Sequence, residues 1–154
     1  MSGFTIVEVT VVVIVLGILV GIVLTSYTKI QADSRDTARQ GNITALTDAL
    51  EKYYAKNGEY PSIQSIVSDN PANTGTAVAT KLNMNASDLK MPQAGSSVTN
   101  SLIATATPTN DTISYTSTDS SSSCQTSTTG GCTAFTIKYN KENGGLVTLS
   151  SRHG

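Results

Sequence analysis

The sequence predicts an α+β protein: one long N-terminal α-helix, membrane-spanning in its first half, packed by its second half on a small antiparallel β-sheet. Three observations predict it. Residues 4 to 24 are an apolar run with a single charge, Glu8. From Thr25 to Lys56 there is no proline, and apolar residues recur at helical spacing. The last third holds three short segments in which apolar and polar residues alternate.

The apolar run is long enough to cross a bilayer, whose hydrocarbon core needs about 20 residues of helix. Its Val and Ile would suit a strand in water, but lipid offers no partner for open backbone groups, so the helix is favoured there. An ionised carboxylate inside such a helix is costly, and Glu8 therefore calls for a cationic partner. Gly17 and Gly21 form a small-x-x-x-small pair that permits close helix contact. Beyond the span, Ile43, Leu46, Leu50 and Tyr53 form one stripe, with Arg39, Asp48, Glu51 and Lys52 turned mostly outward. If continuous, the helix over 4 to 56 rises about 80 Å. Asn57-Gly58 supplies its stop and Pro61 bars continuation.

Residues 57–111 read as a variable loop with two short helices, one over 62–67 capped by Ser62 and one over 77–82. The sheet is expected in 112–150, from strands at 112–116, 134–139 and 146–149. Asn143-Gly144-Gly145 makes the turn between the last two.

Gly3 followed by Phe4, then Thr5-Ile6-Val7, then Glu8, resembles the class III signal of type IV pilins and type II secretion pseudopilins. The exit Tyr53-Tyr54-x-x-Asn57-Gly58-x-Tyr60-Pro61 is similar to the helix exit of major pseudopilins and many bacterial pilins. The resemblance is close in the N-terminal half and one of architecture in the C-terminal half. It implies a leader of residues 1–3, removed after Gly3 by a prepilin peptidase, and N-methylation of Phe4. It implies that Glu8 is the assembly carboxylate, pairing with an N-terminal amine. It also implies a filament-core helix over 4–24 and an extracellular headpiece over 25–154. The implied partners are copies of the chain, other pilins, an inner-membrane assembly platform and its ATPase motor. Two departures stand out: Met1-Ser2-Gly3 lacks the Lys or Arg that related leaders carry, and Thr25 replaces a proline common in pilin filaments.

Net charge is -1 over 154 residues, which makes no electrostatic case for nucleic acid. Charges cluster between Lys29 and Glu59, and beyond Glu59 the surface is built mainly from Ser, Thr, Asn and Gly. Cys124 and Cys132, eight positions apart, can close a small loop; in an oxidising compartment closure stabilises by roughly 2.5 kcal/mol. Zinc ligation and a nucleophilic thiol are the rival readings. Zinc needs more ligands than His153 adds, and no base is positioned for a nucleophile, so the disulfide is favoured.

No nucleotide loop, metal box or triad can be assembled from these residues, so no enzyme activity and no cofactor are expected. Asp111, Asp119 and Glu142 are acids at strand ends without the clustering that calcium needs. Asn42, Asn85 and Asn110 open N-glycosylation acceptor patterns too short to argue a modification from. The favoured function is a pilin that polymerises into a type IV pilus or related filament, held in the cytoplasmic membrane before assembly. Its alternatives are a type II secretion pseudopilin and a membrane-anchored binding module that never polymerises.

Overall fold

The computed structural model describes residues 3, 5–104, 107–119, 122–126 and 131–153. A single helix, α1, runs Ile6–Asn57 and passes unbroken through Thr25. The chain divides into two compact units, residues 1–34 and 35–154.

The first unit is helix and little else. Its large apolar side chains from Ile6 to Ile22 are exposed, between 50% at Val15 and 86% at Ile6. This stretch is long and apolar enough to cross a membrane.

The second unit has a closed core. Ile43, Leu46 and Leu50 of α1 are buried against strand residues Ile113, Tyr115, Phe135 and Ile137 in one cluster. Burying each such side chain contributes about 1.5–3 kcal/mol. The helix stops where the sequence places the stop. Gly58 takes φ 78° and its N–H donates to Tyr54 O at 2.7 Å, while Asn57 Nδ2 donates to Tyr53 O at 2.8 Å. The buried Tyr115 hydroxyl then donates to Pro61 O at 2.7 Å, pinning the exit.

Between α1 and the sheet, Ile63–Ser65 form a 3-10 turn, α2 spans Gly75–Leu82, and Ala86–Leu89 form a second 3-10 turn. Ser62 precedes the first turn but makes no side-chain cap. Thr74 caps α2, accepting from Ala77 N at 3.3 Å. At the start of α2 a Cβ on Gly75 would stand 2.1 Å from Thr99 O, so the two segments approach as only glycine allows.

The sheet corrects one expectation. It has four strands in the order β1 (Leu102–Ile103), β2 (Ile113–Thr118), β3 (Ala134–Asn140) and β4 (Leu146–Ser150). β1 runs parallel to β2, so the sheet is mixed rather than antiparallel. The other pairs are antiparallel, with Tyr115 opposite Ile137 and Ile137 opposite Leu149. Two residues are too few to show a period of two, which hides β1 in the sequence. The turn after β3 uses Gly144 and Gly145 at φ 87° and 107°, and Lys141 N donates to Gly145 O at 3.0 Å.

Cys124 and Cys132 form a disulfide with Cα atoms 5.9 Å apart. Their carbonyls hold the segment that leaves α1: Cys132 O accepts from Tyr60 N at 2.8 Å and Cys124 O from Ile63 N at 2.9 Å. Alkylation without reductant should therefore label neither cysteine in folded protein. Replacing both with Ser should cost about 2–3 kcal/mol and raise amide exchange at 60–64 before it does in α1. Thiol labelling and hydrogen exchange read the two effects.

Candidate assembly site

The candidate site begins at the first turn of α1. Thr5 is followed by Ile6-Val7-Glu8, and the two polar residues close on each other. Glu8 Oε2 accepts from Thr5 N at 2.9 Å and from Thr5 Oγ1 at 2.9 Å, and Glu8 N donates to Thr5 Oγ1 at 3.3 Å. This is a capping box: a Thr ahead of the helix and a Glu three residues on satisfy each other's open backbone donors. Its signature, Thr-x-x-Glu before an apolar run, is legible in the sequence, yet reading Glu8 only as an assembly carboxylate misses Thr5. Both bonds from Thr5 use Oε2, and Oε1 takes part in neither.

Around this carboxylate the surface is apolar. Glu8, Val9, Val12 and Val13 line an open groove of about 280 Å³. Gly3 is exposed, and Phe4, the proposed first residue of the processed chain, lies outside the described residues. A Cβ at Gly17 or Gly21 would meet nothing within 4 Å, so no contact within the chain requires glycine there.

The second unit carries a charged cluster centred on one residue of the α1 stripe, while Asp48 and Lys52 are exposed. Arg39, expected to face outward, is fully buried. Ala32, Asp36, Arg39, Ile43, Leu46 and Leu50 follow one another at steps of four and three, so Arg39 belongs to the apolar stripe. Its Nη1 lies 2.5 Å from Asp36 Oδ1 and 3.4 Å from Glu142 Oε2, and Nη2 donates to Asn110 O at 3.3 Å. Arg39 Nε has no partner among the described residues.

Glu142, in the turn after β3, is the hub of this cluster. It accepts from Arg35 Nε at 2.8 and 2.7 Å, from Arg35 Nη2 and from Gln93 Nε2 at 2.7 Å. Its own N–H donates to Asp36 Oδ1 at 2.9 Å. The Arg35 hydrogen bonds, more than the charges of Arg35 and Arg39, hold its carboxyl below the usual carboxylate range. Glu142 is thus a structural clamp between α1 and the hairpin, and among the described residues no group of three His, Cys, Asp or Glu could hold a metal ion.

The last residues described also return to α1. Glu51 accepts from Tyr60 Oη at 3.0 Å and from Arg152 N at 3.1 Å, and His153 stacks on Tyr54 with ring centroids 4.9 Å apart. Burial first, then the Glu51 bond, pushes the Tyr60 hydroxyl up to about 12.

Over 63 residues the chain is 40% identical to the type II secretion system core protein G of Pseudomonas aeruginosa. It is similar to a type II secretion pseudopilin. The match covers 41% of this chain and 44% of that protein, so the chain spans less than half the length of the curated relative it matches. No family model and no solved structure matches. The partial likeness supports the pilin and pseudopilin resemblance, and the long helix packed on a small mixed sheet is a pilin-like α+β arrangement.

Proposed function

We propose that this chain is a structural subunit of a type IV pilus or related extracellular filament. The observation that carries the reading is an exposed apolar helix from Ile6 to Ile22 whose one charge is Glu8. Such a helix needs lipid before assembly and other helices after it. Because lipid tails are about as apolar as Leu, moving from bilayer to bundle changes apolar burial little, and packing plus Glu8 pairing bias the exchange. Gly17 and Gly21 allow neighbouring helices to approach. In this reading a peptidase removes Met1-Ser2-Gly3, Phe4 becomes the methylated first residue, and its amine meets the Glu8 carboxylate of a neighbour. A platform and motor of the cytoplasmic membrane drive assembly, and the subunit does no catalysis.

A subunit of a type II secretion pseudopilus is the second reading, favoured by the partial match to core protein G. Electron microscopy of sheared surface material, with mass spectrometry of its N-terminus, tests the proposal. The expected result is fibres containing this chain, with methylated Phe4 at its start. Retained Met1-Ser2-Gly3 on assembled protein would reject the processing, and absence of fibres would favour the anchored binding module.

A further inference from the structure

Basic side chains meet two different fates in the headpiece. Arg35 and Arg39 are neutralised by Asp36 and Glu142. Lys52 and Lys56, near the end of α1, and Lys81, in the last turn of α2, instead line one cleft of about 490 Å³. Tyr53, Asn57, Thr80, Leu82 and Asn83 complete its wall, and no carboxylate lines it. Among the described residues, none of the three lysines lies within 4.0 Å of a carboxylate. Lys81 Nζ has a long bond to Ser65 O at 3.4 Å. Burial also draws the Lys81 ammonium below its ordinary pKa, with no opposing charge to restore it.

Lysine at a helix C-terminus complements the helix dipole, which accounts for Lys56 and Lys81 one at a time. It does not account for three lysines lining one cavity. The carbonyls that would repel an anion there are also partly engaged. Asn83, in the left-handed conformation, donates its N–H to Ala79 O and Thr80 O, and Gly58 and Asn57 cap α1.

We propose that this cleft binds a phosphate-type oxyanion. Three lysines lining an open cavity, with the side-chain amide of Asn83 and the hydroxyl of Tyr53 on the wall while Thr80 Oγ1 and Asn57 Nδ2 donate to Thr76 O and Tyr53 O, suit a group that accepts from many directions. A planar carboxylate would be better matched by the Arg fork that this fold places at Glu142. The phosphate can belong to a free polyphosphate or to a lipid headgroup.

The test uses the full chain in detergent, titrated with tripolyphosphate and, separately, with a water-soluble short-chain phosphatidylglycerol. Amide shifts are followed by NMR. Saturable shifts at 52–57 and 80–83 are expected with at least one ligand, and which one identifies the source. Combined Lys52→Gln, Lys56→Gln and Lys81→Gln should weaken binding by about tenfold or more, with steep loss in added salt. Lys138→Gln with Lys141→Gln, on β3 and its turn, should leave binding unchanged. Single Lys81→Gln should show a partial loss if the triple variant fails to fold. No saturation with either ligand, or equal weakening by the control pair, overturns the proposal. So does a triple variant that melts earlier but binds as before, which is what a dipole role alone predicts.

Discussion

Arg39→Ala should lower the melting midpoint of the headpiece by roughly 10 °C or more, corresponding to about 3–5 kcal/mol. Arg39 is fully buried, and its guanidinium sits between Asp36, Glu142 and the carbonyl of Asn110. Truncation leaves a cavity, removes one positive charge from two carboxylates and strands the Asn110 acceptor. Arg39→Lys should recover only part of the loss, because an ammonium cannot reach Asp36 and Asn110 as the planar fork does. Arg39→Met separates the terms: it fills the space without the charge, so a result close to wild type would show that volume, not pairing, sets the cost. Thermal melting of the full chain in detergent distinguishes the three.

The same cluster gives the headpiece an acid limit. The Glu142 carboxyl is depressed from its ordinary value of 4.5, first by the Arg35 hydrogen bonds. A depressed folded value means that the carboxylate stabilises fully above the unfolded value. That contribution is lost as pH falls from about 4.5 through the lower folded value. Glu142→Gln should therefore melt earlier than wild type at neutral pH and show a flatter decline below about pH 4.5. Parallel acid slopes in the two proteins would remove Glu142 from the pH dependence.

Periodicity made the long helix, its Asn57-Gly58 stop and the three longer strands legible, because each repeats a signal over several residues. β1 was not legible, since Leu102–Ile103 is held by pairing to Ile113 and Ser114 and carries no pattern of its own. Arg39 stands at the right spacing for the buried stripe, and its charge argued it outward. Its partner Glu142 lies 103 residues away, and nothing local announces the pair. Thr5 was legible as a capping residue. The lone charge of Glu8 in an apolar run is the louder signal, and it masks the Thr-x-x-Glu spacing of the cap. The Lys52, Lys56 and Lys81 cleft depends on how α2 returns to the end of α1, a tertiary fact that spacing within either helix does not contain.

Glu8→Val should leave membrane insertion and leader cleavage intact while filament yield falls to about a tenth of wild type or less. The span becomes more apolar, so insertion is if anything easier. An incoming amine would then enter an apolar surface without its counter-charge, and breaking a buried charge pair is among the most costly single changes. The capping box complicates the variant, because Glu8→Val also removes the acceptor of Thr5 N and Thr5 Oγ1. Thr5→Val isolates that part. It deletes the hydroxyl that accepts from Glu8 N, costs about 1 kcal/mol of helix start, and keeps the carboxylate. If charge pairing drives assembly, Thr5→Val filaments should form at a modestly reduced yield while Glu8→Val filaments are lost. Glu8→Gln, which can still accept from Thr5 N, should fall between them. Equal defects in Thr5→Val and Glu8→Val would make helix capping the whole role of Glu8. Wild-type yield from Glu8→Val, with normal processing, would remove the carboxylate from assembly altogether. Quantitative shearing assays with blotting for processed subunit read all three variants on one scale.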